Sequence, residues 1–277
     1  MNGLYVAISR VTIEGERVVA PGLRLEPAYA HVFAHPMLAV KPPPEPTAHH
    51  PAPWTAVKQS GNVETATVQL TLDPEGHALP DDAFSRVRSA ISLLRLISGL
   101  PIRAPVWSDI SFAEIASGKA HGGVRQFDPP LQWPMDDYPL TQDVTSTLAT
   151  LLPRLRERRQ EDNFAAAYAL LDSMWWIPTL SAQMIAIWSS AEALMQPSRK
   201  SMTKELARLA RGALGKDRSD GDRIFEEVIR LCEARGAAAH AGREPAADDV
   251  QASYRIARNL MMRSLLSTGN PPPLSYR

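Results

Sequence analysis

Apolar and polar positions along this chain follow two rhythms. In "NVETATVQLTLD", Val63, Thr65, Thr67, Gln69 and Thr71 alternate with Glu64, Ala66, Val68, Leu70 and Leu72. That period of two predicts a β-strand whose inward face is Ala66, Val68, Leu70 and Leu72. "GLYVAI" and "VTIEGERVVA" are shorter β-prone runs, the second with a hairpin turn expected at "EG". Phe84, Val87, Ile91, Leu94 and Ile97 then recur at helical spacing after Asp81 and Asp82, and Gly99 and Pro101 end that helix. Residues 101–140 are rich in Pro, Gly and Asp, with short β-like pieces in "ISFAEI" and "GGVRQF".

From Leu140 the period changes to that of helices, predicted over 142–160, 162–175, 178–196, 201–213, 221–237 and 246–267. Breaks are expected at Pro178, Pro197, Gly215, Gly221 and between Gly242 and Pro245. The expected class is α+β: a β-rich N-terminal domain with one helix over 1–140, an all-α bundle over 141–268, and a flexible tail over 269–277. "KPPPEPTAHHPAPW", residues 41–54, holds six prolines, too many missing donors for a regular helix or central strand. It is expected to be an extended surface loop.

Composition narrows the function classes. The 277 residues are 44% hydrophobic and 22% charged with no net charge, so any signal for a nucleic-acid or membrane partner has to be local. Cys232 is the one cysteine, which excludes an intrachain disulfide and fits a reducing compartment. "MNGLYVAISRV" lacks the basic then apolar order of a signal peptide, and no apolar run is long enough to cross a bilayer. A cytoplasmic protein without a membrane partner is the expectation.

The chemistry concentrates in "CEARGAAAHAG", residues 232–242. Ile224, Val228, Leu231 and Cys232 form the apolar stripe of the helix leading into it, and Arg235 falls on that stripe's continuation. An arginine placed there needs an anion, a carboxylate or a partner chain. His240 follows five positions later, about 140° around an unbroken helix. The two side chains converge only if the helix loosens at Gly236, if Arg235 reaches around, or if the second group comes from a partner subunit. Small residues between them would leave room for a ligand backbone or second helix. Glu192, in "WSSAEALM" on the face of Ile185, Trp188 and Met195, is the nearest candidate to pair with Arg235. Alternatively, His240 is a helix-ending residue before a left-handed Gly242.

An Arg-x4-His near the end of a long helix, followed by glycine and a last helix, resembles the HEPN superfamily. "CEARGAAAHAG" is similar to the Arg-Ser-x-x-x-His-Gly segment of its Apea-like branch, and "MIAIWSSAEALMQPS" to that branch's preceding helix. The resemblance spans roughly residues 160–268. It implies a homodimer that cuts RNA without metal or other cofactor, in a toxin or antiphage-defence setting. His240 would be general acid or base on the ribose 2′-hydroxyl and leaving oxygen, and Arg235 would clamp the scissile phosphate. Glu192 would support one of them. Gly236 stands where active members carry a polar residue, and this favours the alternative, a catalytically silent HEPN module for dimerisation or for binding a nucleotide or partner.

Other residues add smaller signals. Residues 199–218 hold seven Lys/Arg against two Asp/Glu, and Lys204, Arg208 and Arg211 share one helix face that suits either a phosphate backbone or bulk solvent. "RLRERR", 154–159, is a weaker basic run. "MWW", 174–176, reads as core or as a dimer seam. His31 and His35 have i, i+4 spacing but no HExxH pattern, and neither they nor His49 and His50 predict a metal site. There is no phosphate-cradling glycine loop and no Gly-x-Ser-x-Gly elbow.

Overall fold

The computed structural model describes residues 3–33, 37–39, 41–49, 51, 54–56, 63–74, 79–118, 123–128 and 137–267. The architecture is α+β, with an antiparallel sheet first and helices after it. Two compact units divide the chain. One comprises Met1–Ala83 and Ile102–Thr141, the other Phe84–Pro101 and Gln142–Arg277.

In the first unit β1 (Leu4–Ser9), β3 (Arg17–Ala20), β4 (Leu23–Phe33), β7 (Val63–Leu72), β8 (Val106–Ser108) and β9 (Val124–Gln126) form one sheet. Its order is β3-β4-β7-β1-β8-β9, every neighbouring pair antiparallel. Two short ribbons accompany it: β2 (Val11–Thr12) with β10 (Tyr138–Pro139), and β5 (Met37–Ala39) with β6 (Trp54–Ala56). The proline-rich loop connects this last pair, and its described part, 41–49 and 51, has no regular structure.

Alternation places Leu4, Val6 and Ile8 on the same sheet face as their partners Leu72, Leu70 and Val68, all buried. Ala66 is buried as expected but on the other face, where it packs with Ala7 and Phe112. The cause is a bulge: Ile8 pairs with Val68 but Ser9 pairs with Ala66, so Thr67 is an extra residue that reverses the alternation. Three expectations change here. The "EG" turn exists, with Gly15 at φ +72°, but it joins no hairpin: β2 pairs in parallel with β10, while β3 turns back onto β4 at Pro21–Gly22. "ISFAEI" is α2 (Phe112–Ala116), because Ser111 caps it by accepting from the Glu114 amide and bonding its carboxylate. "HVF" of "HVFAH" lies in strand β4, with His31 Nδ1 2.9 Å from Thr65 Oγ1, and His35 lies outside the described residues.

The polar face of the sheet carries Glu26, which accepts hydrogen bonds from Gln69 and Thr71 and pairs with Arg24. Burial pushes its carboxyl up, but those hydrogen bonds and the guanidinium outweigh burial and hold it below the usual glutamate range.

The second unit contains α1 (Ala83–Ser98), α3 (Gln142–Arg158), α4 (Asp162–Ser173), α5 (Leu180–Met195), α6 (Met202–Leu214), α7 (Arg218–Ala241) and α8 (Ala247–Leu266). Chain position assigns α1 to the sheet domain, but its polar bonds assign it to the helices. Ser92 Oγ lies 2.9 Å from Tyr168 Oη, Arg95 Nε and Nη2 donate to the two carboxylate oxygens of Asp172 at 2.7 and 2.9 Å, and Arg258 of α8 donates to the Leu96 and Ile97 carbonyls at the end of α1. The "RLRERR" arginines act as similar braces. Arg154 donates to the Leu266 carbonyl at the end of α8, Arg158 to Ser264 and Glu161, and Arg159 to Ser89. Cations at helix C-termini complement the helix dipole. Of "MWW", Met174 and Trp175 are core residues. Helix α5 lies among α4, α6, α7 and α8, and its Trp188 is buried with Nε1 donating to Ser253 Oγ.

Two outcomes follow. Asp172→Ala removes both carboxylate bonds from the buried Arg95 and lowers unfolding stability by about 3 kcal/mol in urea denaturation. A carboxyl held down in the folded state contributes stability above its unfolded value, and that stability disappears as pH falls through the folded value. Glu26→Gln is therefore less stable than wild type near neutrality and equal to it in strong acid, when urea midpoints are compared across pH.

Candidate functional site

Helix α7 runs from Arg218 to Ala241, longer at both ends than its periodicity predicts. Asp217 caps the start by accepting from the Asp220 amide at 2.9 Å. Gly221 is not a break. It is buried inside α7, and a Cβ there would meet Arg211 Cγ at 3.0 Å, so glycine lets α6 close on α7. Gly236 does not loosen the helix either: the three alanines after it have the highest helix propensity, and one interior glycine costs only about 1 kcal/mol. Gly242 ends the helix in the left-handed conformation, φ +60°, with its amide donating to the Ala237 carbonyl.

Ile224, Val228, Leu231 and Cys232 are buried as the stripe predicts, and Ala238 extends the stripe beyond Arg235. Arg235 is half-buried and ion-paired with Glu192 of α5 through Nη2 and Oε1, the pairing expected from sequence. Its Nε is buried without a hydrogen-bond partner among the described residues. Glu192 sits beside the buried face of α5, which is Met184, Ile187, Trp188 and Ala191; Ile185, expected on that face, is 37% exposed. Gln196 closes α5 in the left-handed conformation by donating to the Glu192 carbonyl, which fixes the turn carrying the carboxylate.

His240 lies elsewhere. It is exposed in the last turn of α7, about 140° from Arg235 around a continuous helix. Among the described residues its imidazole has no hydrogen bond or ion pair. One copy of the chain therefore brings Arg235 and Glu192 together and leaves His240 apart. Among the described residues, leaving aside the adjoining residues and the helix's own nearby backbone, nothing comes within 4 Å of a Cβ built at Gly236 or Gly242.

Cys232 sits one turn before Arg235. Burial pushes its thiol up to about 12, reinforced by Glu192 and Glu233 and opposed by Arg235. The thiolate is thus scarce at neutral pH, and Cys232 acts as a core residue.

The basic face of α6 divides. Lys204 and Arg208 are exposed, whereas Arg211 pairs with Asp222 at 2.9 Å and lies over Gly221, bracing α6 against α7. No group of His, Cys, Asp and Glu among the described residues has metal-binding geometry. A cleft beside α8, formed by residues that no local motif marks, is lined by Lys216, Arg223, Arg255 and Arg263. Only spacing marks its α8 part: Arg255, Asn259, Met262, Arg263 and Leu266 recur along one side of α8 at spacings of three and four, with one step of one.

Removing the carboxylate leaves Arg235 with no answer. Glu192→Ala lowers stability by about 2 kcal/mol, the scale of a charged hydrogen bond lost from a half-buried site. The double variant Glu192→Leu/Arg235→Met recovers most of that loss in denaturant titration. No protein-family model matches this chain, nor does any curated protein or solved structure, and what the site does rests on its own residues.

Proposed function

We propose that the helical unit is a HEPN-like bundle that works by binding and self-association and does not itself cut RNA. The observation that carries this reading is the Arg235–Glu192 ion pair on an unbroken α7. Cleavage of a phosphodiester by this residue pair needs a guanidinium free to meet the phosphate and an imidazole within hydrogen-bonding reach of the same group. Here the guanidinium is occupied, the carboxylate holding it repels a phosphate, and the imidazole faces another way. Gly236 supplies no polar side chain to compensate.

The exposure of His240 favours a second reading, the metal-independent ribonuclease. At the end of α7 the imidazole is available to a second copy of the chain, and a homodimer could bring one protomer's His240 to its partner's Arg235. Toxin or antiphage-defence activity belongs to this reading.

Incubating the purified protein with mixed RNA, without added metal and with chelator, separates the two. The binding reading expects intact RNA with wild type, Arg235→Ala and His240→Ala alike. Fragments ending in cyclic phosphate, produced by wild type and lost in both variants, would overturn it in favour of the nuclease. Sedimentation equilibrium reports whether the chain self-associates, and a strict monomer contradicts both readings.

A further inference from the structure

The cleft beside α8 holds about 620 Å³, and its two walls differ in charge. On one side, the loop after α6 and the first turns of α7 balance themselves. Asp220 accepts from Arg223 Nη2 at 2.7 Å and from the Lys216 amide at 3.1 Å, and Glu227 lies 3.7 Å from Arg223 Nη1. The cations Lys216 and Arg223 thus meet two carboxylates on their own wall.

The α8 wall is positive and unanswered. Arg255 and Arg263 are both exposed, and their side chains make no hydrogen bond or ion pair among the described residues. They stand eight residues apart, about 12 Å along the helix axis. Asn259, exposed midway between them, both donates and accepts, as the amide of a peptide backbone requires. Met262 is half-buried beside Arg263, and Leu266 is 52% exposed at the rim. An apolar side chain so exposed next to a charged cleft suits a partner that brings apolar surface of its own.

These features select an occupant. A single acidic group cannot reach two cations 12 Å apart. A nucleic-acid strand carries a charge on every residue, so it would set phosphates beside Asp220 and Glu227 as well as beside the arginines. A polypeptide is charged only where its sequence makes it so. In an extended segment, side chains at i and i+4 lie on one side and about 13 Å apart, which matches the two arginines.

We propose that this cleft is a docking site for an extended acidic segment of a partner protein. Two carboxylates four residues apart meet Arg255 and Arg263, Asn259 bonds the backbone between them, and a neighbouring apolar side chain covers Met262 and Leu266. The surface is separate from the Arg235–His240 end of α7, and its occupancy does not depend on whether that end cuts RNA.

Fluorescence polarisation with the full chain tests this. The probe is a fluorescein-labelled peptide, Leu-Thr-Glu-Thr-Ser-Thr-Glu-Thr-Leu, which carries the two acids at the required spacing and an apolar residue outside each. Wild type binds it with a dissociation constant below about 1 mM. Exchanging both glutamates of the peptide for glutamine weakens binding at least about five-fold, and Arg255→Gln/Arg263→Gln in the protein does the same. Leu266→Ser, which leaves the charges in place, weakens binding about three-fold. Lys204→Gln/Arg208→Gln removes equal charge from α6 and leaves binding unchanged within about two-fold. Arg255, Arg263 and Leu266 are exposed, so these variants keep the wild-type unfolding midpoint. The proposal is overturned if wild type does not bind the peptide, if the glutamine peptide binds as tightly, or if either cleft variant binds it as wild type does. It is overturned equally if a uridine oligonucleotide binds wild type more tightly than the peptide and is lost in the arginine variant.

Discussion

Packing α7 by its apolar stripe carries Arg235 inward along with Ile224, Val228 and Leu231. Each of those side chains contributes about 1.5–3 kcal/mol on burial, which is more than enough to fix the rotation of the helix. The guanidinium has to follow, and its desolvation is offset by Glu192 on the neighbouring α5. The same arrangement recurs where Arg95 of α1 meets Asp172 of α4. In both places hydrophobic burial sets the geometry, and a carboxylate makes that geometry tolerable for a cation.

This ordering of forces bears directly on function. A residue pair placed to cut RNA would keep its guanidinium ready for phosphate, and here readiness would require releasing Glu192. His240 is under no such constraint, because the stripe turns it outward at the helix end. The cleft beside α8 shows the opposite condition, with arginines that nothing among the described residues has answered. It lies toward the start of α7, some 17 residues from His240 at Arg223, or about 25 Å along the helix.

Several basic residues that look alike in sequence are distinguished by their neighbours. Arg154, Arg158 and Arg159 are braces between helices, and Arg211 is tied to Asp222, while Arg255 and Arg263 are not engaged. Local charge density points to 199–218 and 154–159, yet density does not decide availability: Lys204 and Arg208 stay exposed while Arg211, Arg154, Arg158 and Arg159 are engaged, because a cation's use depends on which carbonyls and carboxylates the fold brings to it.

The order of strands and then helices was legible from periodicity alone, because alternation and helical spacing are local consequences of which face is buried. So was the α7 stripe, with Arg235 on it and Glu192 as its answer, since a misplaced cation calls for a nearby acid. The capping of α2 by Ser111 and Glu114 was written in the chain and overshadowed by the β-prone residues around it. Long-range pairing was not legible. The affiliation of α1, the partner of β2, the bulge that turns Ala66 over, and the convergence of α6, α7 and α8 on one cleft depend on contacts between distant segments. Spacing along a chain carries the direction a side chain takes from its own helix or strand, and it carries nothing about which other segment that side chain will meet.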